Sequence, residues 1–566
     1  MTFQEHRTLA MGQSLPDPVT VELIRNGLIA ATEEMKTVLM RTAYNMIIYE
    51  ALDFTVGLFD REGNTISIGL GLPMFMRGMS DTVKAQIAHF GIDQIEAGDI
   101  LLTNDAYVTG SHLNHPTFTL PIFDEHGVVA FATCMAHWMD IGGTLNGLTS
   151  DIYSEGLQIP MVKYHRKGEL NEDVLNFIRM NVRRPERAVG DLEAQLSSIR
   201  AGAKHVSAML GRYGTDTFLA SIERIKDQSE ARARSVIAAI PDGVYEAETA
   251  MDDDGIELDK PVPIKVRVEV RGDEMIVDLS GVSPQVKGPF NSGAGEACAQ
   301  VAFKCLALAQ DFPINDGGNR ALKVIVPPGT IVSATKPAAM KMWMCYPMTI
   351  IDTIFKALSQ AIPERVIAGH HADLMTCNVN GIHPTERNQF LYMGGLIGGG
   401  WGAKHDSDGM SGTIAINDGD THNGPTEQVE NKYPVLVERY ALRQDSGGAG
   451  RFRGGLGTEQ VVVAGISLNG ITRADHVRNP PDGLLGGLPG SGNQIAVRRA
   501  NGEETVYPHG KVVMRLEPGD AYILRSGGGG GFGEPTDRDP KRIREDLRQG
   551  YISAEAARRD YGLTID

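Results

Sequence analysis

The clearest hydrophobic pattern lies near the start of the chain. Directly after Asp17 and Pro18, apolar residues recur at intervals of three or four, at Ile24, Leu28, Ala31, Met35 and Val38. Aspartate and proline are typical of the first positions of a helix. The spacing therefore predicts one long amphipathic helix over residues 17–45.

Shorter alternating patterns predict two hairpins. Residues 51–60 (ALDFTVGLFD) and 65–71 (TISIGLG) are separated by a short polar turn and lead into glycine-rich sequence. Residues 116–123 and 128–138 are joined by the four-residue loop DEHG, a length typical of hairpins. Pairing Phe123 with Val128 and extending the same register sets His115 opposite Ala136 and Asn114 opposite His137.

The pattern changes along the chain, and these changes predict its domains. Residues 171–238 are charged and have helical spacing, whereas residues 263–281 alternate like strands, and a further helix is predicted at about 345–361. We expect an α+β fold, a mixed multi-domain chain with glycine-rich β segments and flanking helices. The predicted units are an N-terminal α+β domain (1–240), a glycine-rich mixed α/β body (241–535) and a C-terminal helical tail (536–566).

Glycine is abundant, with 66 residues concentrated in segments such as GGLIGGGWGAK, DSGGAGRFRGGLG and SGGGGGFGEP. None of them fits the phosphate-binding P-loop, because Ala403 separates Gly402 from Lys404. Glycine-rich sequence after strands more often forms tight turns or lets backbones pack closely. We therefore expect a structural role for these glycines and not a nucleotide site.

Charge and composition exclude several classes of protein. The 566 residues contain 54 Lys and Arg against 71 Asp and Glu, a net charge of −17, which disfavours nucleic acid and anionic membranes as partners. No apolar run is long enough to span a bilayer, and residues 1–13 lack the layout of a signal peptide. Five widely spaced cysteines indicate reduced thiols and not disulfides. A cytoplasmic protein acting on a small molecule is the expectation.

The stretch GSHLNHP, residues 110–116, carries the candidate chemistry. In the predicted hairpin, His112, His115 and His137 meet at one open end, with Asp140 nearby and Asp53 within reach of a tertiary contact. Neutral imidazoles with a carboxylate suit zinc, iron, manganese or nickel, and such an ion activates water or polarises an oxygen. The alternative is structural, because most of the 15 histidines of a chain like this one are hydrogen-bonded residues without a ligand. The GHHAD stretch, residues 369–373, is expected to be structural, since adjacent strand residues point to opposite faces.

Several motifs, in order and across nearly the whole chain, resemble the hydantoinase B/oxoprolinase family. They are EALDFTVGLFDREGN, LLTNDAYVTGSHLNHPTFTLPIF, AHWMDIGG, INDGGNRALKVIVPPGTIV, YALRQDSGGAGRFRGGLG and GGGGGFGEPTDRDP. The resemblance implies a hydantoinase B-like component that works with a hydantoinase A-like subunit. That partner uses ATP to phosphorylate the substrate oxygen, and the B-like component completes the reaction at one divalent metal ion, for which zinc, manganese and iron are the candidates.

The resemblance also implies site residues. In the family the metal is held by a histidine, an aspartate three residues later and a histidine of the A-H-x-x-D-x-G-G stretch, which correspond here to His112, His115 and His137. The chain thus carries histidine where aspartate is usual, which removes a negative charge from the site. The family's further aspartate corresponds to Asp53, a fourth ligand or water-orienting base. Many relatives have histidine at the position of Phe75, so a more apolar pocket wall is expected here.

Three functions remain open at this point. The leading hypothesis is a metal-dependent amidohydrolase subunit that opens a hydantoin-like or lactam ring, with Asp140 or Asp53 orienting or deprotonating the water. A subunit of an ATP-dependent ketone carboxylase, of the acetone or acetophenone carboxylase type, would use the same ion. A scaffold that only stabilises the A-like subunit would need neither metal nor base.

Overall fold

A computed structural model describes residues 16–307, 314–394 and 396–563. Within these ranges the chain forms twelve α-helices and twenty β-strands arranged in four sheets, which confirms the α+β class. Residues 1–13, from which no signal peptide was predicted, lie outside the described residues. No helix in the described ranges is both long and apolar enough to cross a bilayer.

The first sheet has seven antiparallel strands in the order β2-β1-β5-β4-β3-β6-β7. Its strands are β1 (Phe54–Asp60), β2 (Thr65–Leu70), β3 (Ile100–Thr103), β4 (Thr117–Asp124), β5 (Gly127–Ala136), β6 (Val162–Arg166) and β7 (Glu169–Leu170). Both predicted hairpins are confirmed, as β1 with β2 and β4 with β5. Strand β5 lies between β1 and β4, so both of its edges are paired.

Helices cover both faces of this sheet. The helices of the N-terminal half are α1 (Pro18–Thr42), α2 (Met46–Tyr49), α3 (Phe75–Phe90), α4 (Ala106–Thr109), α5 (Glu172–Asn181), α6 (Pro185–Tyr213) and α7 (Thr215–Ile237). The predicted first helix is confirmed as α1. Asp17 caps it by accepting from the amides of Val19 and Thr20, and its buried stripe ends at Leu39 and not at the predicted Val38.

Helix α7 ends at Ile237 and β8 begins at Gly243, so the change from helices to strands lies near the predicted position. The second sheet, β11-β10-β9-β8, consists of β8 (Gly243–Met251), β9 (Val262–Arg271), β10 (Glu274–Asp278) and β11 (Leu322–Ile325). It packs beside α8 (Gly295–Ala307) and α9 (Cys345–Leu358). One apolar cluster contains buried residues from both sides of residue 240, for example Phe131 and Val268, and the division into domains stays a prediction.

Two further sheets and three helices complete the chain. One sheet, β13-β12-β16-β19, contains β12 (Thr376–Ile382), β13 (Gln389–Gly394), β16 (Leu468–Arg473) and β19 (Val513–Leu516). The other, β14-β15-β20-β17-β18, contains β14 (Val435–Leu442), β15 (Thr458–Ala464), β17 (Gln494–Arg498), β18 (Glu504–Tyr507) and β20 (Ala521–Arg525). The remaining helices are α10 (Thr426–Lys432), α11 (Pro540–Arg548) and α12 (Ala554–Tyr561).

The glycine-rich segments pack directly against one another, as expected from the sequence. The amide of Gly400 donates to the carbonyl of Gly527 at 2.9 Å, and the amide of Gly529 donates to that of Gly455 at 2.9 Å. A β-carbon on Gly400 would lie 1.9 Å from the carbonyl oxygen of Gly455, so no other residue fits there. Because glycine has no side chain, three segments that are distant in sequence share backbone hydrogen bonds in one layer.

A buried ion pair joins α7 to the first sheet. The ammonium of Lys226 lies 2.6 Å from the carboxylate of Asp60 at the end of β1, and both side chains are almost completely buried. Lys226 also contacts Glu223 at 3.0 Å.

We expect Lys226→Ala to lower the free energy of unfolding by about 3 to 5 kcal/mol, because Asp60 would keep a buried charge without its cation. Urea denaturation of the variant beside Arg224→Ala, which removes an exposed cation of the same helix, measures the difference. Equal losses in the two variants would contradict the role given to this pair.

Candidate functional site

Three chain segments meet at one end of the first sheet. Phe54 of β1 pairs with Ala136 of β5, and Thr117 of β4 pairs with Met135 of β5. Asp53, His115 and His137 lie just beyond these paired strands. The amide of His137 donates to the carbonyl of Asp53 at 3.0 Å, so the backbone itself holds β1 and β5 together at the site.

The register of the β4–β5 hairpin differs from the predicted one by a single residue. Phe123 does pair with Val128, but a bulge between Ile122 and Phe123 shifts the rest of the hairpin. The prediction that Ala136 opposes His115 and His137 opposes Asn114 is therefore wrong. The amide of Trp138 donates to the carbonyl of Asn114 at 2.7 Å, and continuing this register sets His115 opposite His137. A bulge adds a residue to one strand, which loop length alone does not reveal.

The three predicted imidazoles form a compact buried triangle. The ring centroids of His112 and His115 are 4.3 Å apart, those of His112 and His137 5.0 Å, and those of His115 and His137 5.2 Å. Each histidine is less than one tenth exposed. The structure thus brings together the three histidines that the sequence singled out.

Hydrogen bonds define the state of two of these rings. Nε2 of His115 donates to the carboxylate of Asp53 at 3.0 Å, and its Nδ1 is hydrogen-bonded to the hydroxyl of Ser111 at 2.9 Å. Nδ1 of His112 donates to the carbonyl of Lys341 at 3.0 Å. That bond leaves the lone pair of His112 on Nε2. This nitrogen is buried and has no partner among the described residues, and the same holds for Nδ1 of His137.

Burial keeps His112 and His137 neutral, and their neighbour Asp53 stays ionised. Burial and the neighbouring histidines lower the pKa of His112 well below its usual value. Burial lowers the pKa of His137 to about 4, although the charge of Asp53 opposes that shift. Burial alone would raise the pKa of Asp53, but the charge and hydrogen bond of His115, with His137 and Arg473, lower it. Neutral imidazole and ionised carboxylate are the forms that bind metal ions.

The fit of a metal ion depends on these free ring nitrogens. Across residues 16–307, 314–394 and 396–563, no three His, Cys, Asp or Glu side chains as they stand converge on one point at ligating distances. His115 and Asp53 bind each other instead. Nε2 of His112 and Nδ1 of His137 are buried without a partner among the described residues, however, and a divalent cation is a partner that imidazole nitrogens and a carboxylate such as Asp53 both bind. The donor set therefore fits a metal.

The other predicted acid has different partners. The carboxylate of Asp140 accepts from the guanidinium of Arg183 at 2.6 Å, from the backbone amide of the same arginine and from Gly142. No hydrogen bond or ion pair connects it to the histidines within the described residues. Its role as a base stays a prediction.

Phe75 forms an apolar wall of the site. Its ring centroid lies 4.5 Å from that of His115, edge-on, and 6.0 Å from that of Trp343. The position thus faces the histidine cluster directly. An apolar side chain therefore lies against the histidine cluster on this side.

Asp418 is an acid near Asp53 that the sequence did not indicate, and Asn417 precedes it in the chain. Both are almost completely buried, and neither Asp418 oxygen has a hydrogen-bond donor among the described residues. Burial and the charge of Asp53 raise the pKa of Asp418 well above its usual value, although Arg473 opposes the shift. In the sequence, Asn-Asp-Gly resembles an exposed turn, so no local signal distinguished this aspartate.

Each ring of the second histidine pair has one partner, while Nε2 of His370 and Nδ1 of His371 are buried without a partner among the described residues. Nδ1 of His370 bonds the carboxylate of Asp352 at 2.9 Å, and Nε2 of His371 donates to the carbonyl of Thr413 at 3.0 Å. Asp373 accepts from Asn493 at 2.8 Å. The two rings thus serve different elements of the fold.

Comparisons with known proteins match nearly the whole chain. The profile described as hydantoinase B/oxoprolinase matches residues 17–535. The beta subunit of caprolactamase from Pseudomonas jessenii is 33% identical, over 97% of this chain and 96% of that protein. A protein of Pseudomonas sp. strain NS671, named as the B component of a putative D-/L-hydantoinase, is 30% identical, over 97% and 95%.

Solved structures share the fold. The crystal structure of ATP-dependent caprolactamase from Pseudomonas jessenii matches with a TM-score of 0.91 and 30% identity, covering 97% of each chain. A nucleotide-free acetone carboxylase matches with a TM-score of 0.88 over 97% of this chain and 80% of the other. At 18% identity the second match shows the fold alone.

The second histidine pair generates a prediction about acid stability. Burial, with His370, lowers the pKa of His371 to about 3. Unfolded, this histidine takes up a proton near pH 6.5, which the folded chain does not bind until pH falls to about 3. Wild-type stability should therefore fall relative to His371→Gln as pH drops below 6.5, approaching about 1.4 kcal/mol per pH unit. Urea denaturation at pH 7.5, 6 and 5 tests this; parallel curves would contradict it.

Proposed function

The chain belongs to the hydantoinase B/oxoprolinase family, and on that premise we propose that it is the metal-dependent, hydantoinase B-like component of an ATP-dependent amidohydrolase. Its substrate is a hydantoin-like or lactam ring, and its partner is a hydantoinase A-like subunit that uses the ATP. We assign the complex to the cytoplasm. The relatives named as parts of a caprolactamase and a putative hydantoinase support the proposed activity.

One observation carries the proposal. Three buried imidazoles have ring centroids within 5.2 Å of one another, and two of them have a ring nitrogen without a partner among the described residues. Such an arrangement is costly unless a ligand satisfies it, because a buried polar atom without a hydrogen bond destabilises the folded chain. We propose that His112, His115, His137 and Asp53 hold one divalent ion, either zinc, manganese or iron. When bound, the ion supplies a Lewis acid beside the substrate oxygen.

The side chains divide the remaining work. In this structure His115 and Asp53 bind each other, and both would exchange that bond for the ion when it is held. Asp53 would then accept the proton of the water that attacks the activated ring carbon. Ser111, bonded to Nδ1 of His115, orients that ring. Phe75 and Trp343 separate the site from bulk solvent. Because Arg183 binds Asp140, we assign the base to Asp53, and Asp140 stays a candidate for orienting the water.

An amide carbon resists attack by water, so phosphorylation of its oxygen by the partner makes the carbon electrophilic and drives ring opening. In a ketone carboxylase the same site would receive an activated ketone beside carbon dioxide. The products distinguish these activities. In ring opening, water adds to the activated carbon, the ring C–N bond breaks with a proton going to the nitrogen, and phosphate is released. The product is a linear amino acid from a lactam or an N-carbamoyl amino acid from a hydantoin, and no bicarbonate is consumed, whereas carboxylation consumes one bicarbonate per ketone.

The first prediction concerns metal content. The native chain should carry about one divalent ion by elemental mass spectrometry, and both His112→Ala and His137→Ala should lose it together with ring opening. Complex formation with the A-like subunit should persist, because the cluster is buried inside one chain. His405→Ala, which removes an exposed imidazole, is the matched control and should keep metal and activity.

Two results would overturn the proposal. A metal-free native chain, purified with ions available, would remove the catalytic centre. Ring opening that continues in His137→Ala would leave a scaffold for the partner as the function.

The second prediction concerns Phe75. Phe75→His adds a fourth imidazole beside His115, whose ring centroid lies 4.5 Å away. We expect the variant to retain its ion longer during dialysis against a chelator, by about tenfold for one added ligand. Phe75→Leu, which keeps the wall apolar, should lose the ion at the wild-type rate. Identical rates for Phe75→His and wild type would show that this position does not face the ion.

A further inference from the structure

A cleft lies beside the histidine cluster. Residues 138–140, which follow His137, form one of its walls. The start of α6, the end of α10 and strand β13 form its other walls. Much of its lining is apolar, contributed by Trp138, Met139, Leu145, Phe390, Leu391 and Tyr433. The side-chain amide of Asn45, also in the lining, donates to the carbonyl of His137 at 2.9 Å, so the cleft and the cluster share one wall.

Four cations also line this apolar cleft, and two of them have acidic partners. Arg183 binds Asp140 at 2.6 Å, and Arg184 binds Glu386 at 2.7 Å. These two arginines are therefore neutralised by neighbouring carboxylates.

The other two cations have no such partner. The side chains of Arg187 and Lys432 have no hydrogen bond or ion pair within residues 16–307, 314–394 and 396–563, and the ammonium of Lys432 lies 5.7 Å from the ring of Tyr433. Burial, and next the charge of Arg187, lower the pKa of Lys432. Two unpaired like charges in a half-buried cleft repel each other, and an anion between them would remove that cost.

The nearest remaining acid does not take this place. Asp191 lines the cleft, but one of its oxygens accepts from the backbone amides of Tyr44 at 2.7 Å and Asn45 at 3.1 Å. Burial raises the pKa of Asp191 to about 6, although its two backbone bonds and the charges of Lys432 and Arg187 oppose the shift, so this carboxylate is still ionised at pH 7. The four cations face three carboxylates, those of Asp140, Glu386 and Asp191, so one positive charge remains in excess, on a chain whose net charge is −17.

We propose that this cleft is a binding site for a small organic phosphate, with Arg187 and Lys432 on the phosphate and the apolar walls on its carbon part. An arginine fork and a lysine ammonium match the two negative charges of a phosphate monoester, whereas a carboxylate carries only one. The aromatic and aliphatic lining makes a bare inorganic ion a weaker ligand than an organic phosphate. We identify this organic phosphate with the phosphorylated ring substrate, and that identification rests on the proposed function.

Titration calorimetry of the full chain tests the site with phenyl phosphate, inorganic phosphate and benzoate. We expect phenyl phosphate to bind most tightly. The double variant Arg187→Gln/Lys432→Gln should weaken its binding at least tenfold, and Arg187→Lys should weaken it less because the charge remains. Arg200→Gln, an exposed position on the same helix α6, is the matched control and should bind like wild type.

Phenyl phosphate binding should also survive in His137→Ala, which separates this site from the histidine cluster. Loss of binding in that variant, unchanged binding in the double variant, or equal affinity for benzoate would each overturn the inference. If the proposed function is wrong, a different measurement shows it. Ring opening that continues in His137→Ala contradicts the metal centre while leaving the calorimetric result for Arg187 and Lys432 as it is.

Discussion

The site depends on the pairing of β5 with strands on both of its edges. Because β1 and β4 hydrogen-bond to the same central strand, the residues just outside the three strands are forced to one end of the sheet. Asp53, His115 and His137 come from segments up to 84 positions apart in the chain, yet a backbone bond from His137 to the carbonyl of Asp53 fixes two of them directly. The bulge in β4–β5 then decides which side chains face the centre, since a shift of one residue would turn a strand's side chains to the opposite face. The geometry of the cluster is thus set mainly by the backbone.

Glycine plays the corresponding role in the C-terminal half. Carbonyls and amides of Gly400, Gly455, Gly527 and Gly529 bond across segments that are far apart in sequence, at distances where a β-carbon would overlap a carbonyl oxygen. The same half supplies Asp418 and Arg473 to the neighbourhood of Asp53. A glycine layer that allows only one arrangement of its backbones therefore also fixes the charges that surround the histidines.

The sequence predicted those parts of the structure that depend on local pattern. Helix α1, both hairpins, the α+β class and the convergence of three histidines follow from spacing and turn length, and the family motifs identified the same residues. The details that failed depend on tertiary packing. A bulge leaves no mark in hydrophobic spacing, so the register opposite His115 was wrong by one residue. Asp418 lies in a stretch that resembles a surface turn, and its burial follows from packing against distant segments. The partner of Asp140 is Arg183, 43 positions later in the chain, and nothing local indicates that contact.

The exchange of aspartate for histidine at position 115 changes the electrostatics of the whole centre. With an imidazole in place of a carboxylate at this position, Asp53 is the acid that bonds to the histidine cluster within the described residues. Burial and the charge of Asp53 raise the pKa of the neighbouring Asp418. A divalent cation among three imidazoles and one carboxylate keeps a net positive charge, whereas a second ligating carboxylate would cancel it. Such a centre withdraws electrons from a bound oxygen more strongly, at the cost of weaker attraction for the ion itself. Phe75 acts in the same direction, because an apolar ring against His115 lowers the local dielectric response and strengthens every charge interaction inside the site. On the proposed function, His115 and Phe75 would both favour electrophilic activation over tight binding of the metal.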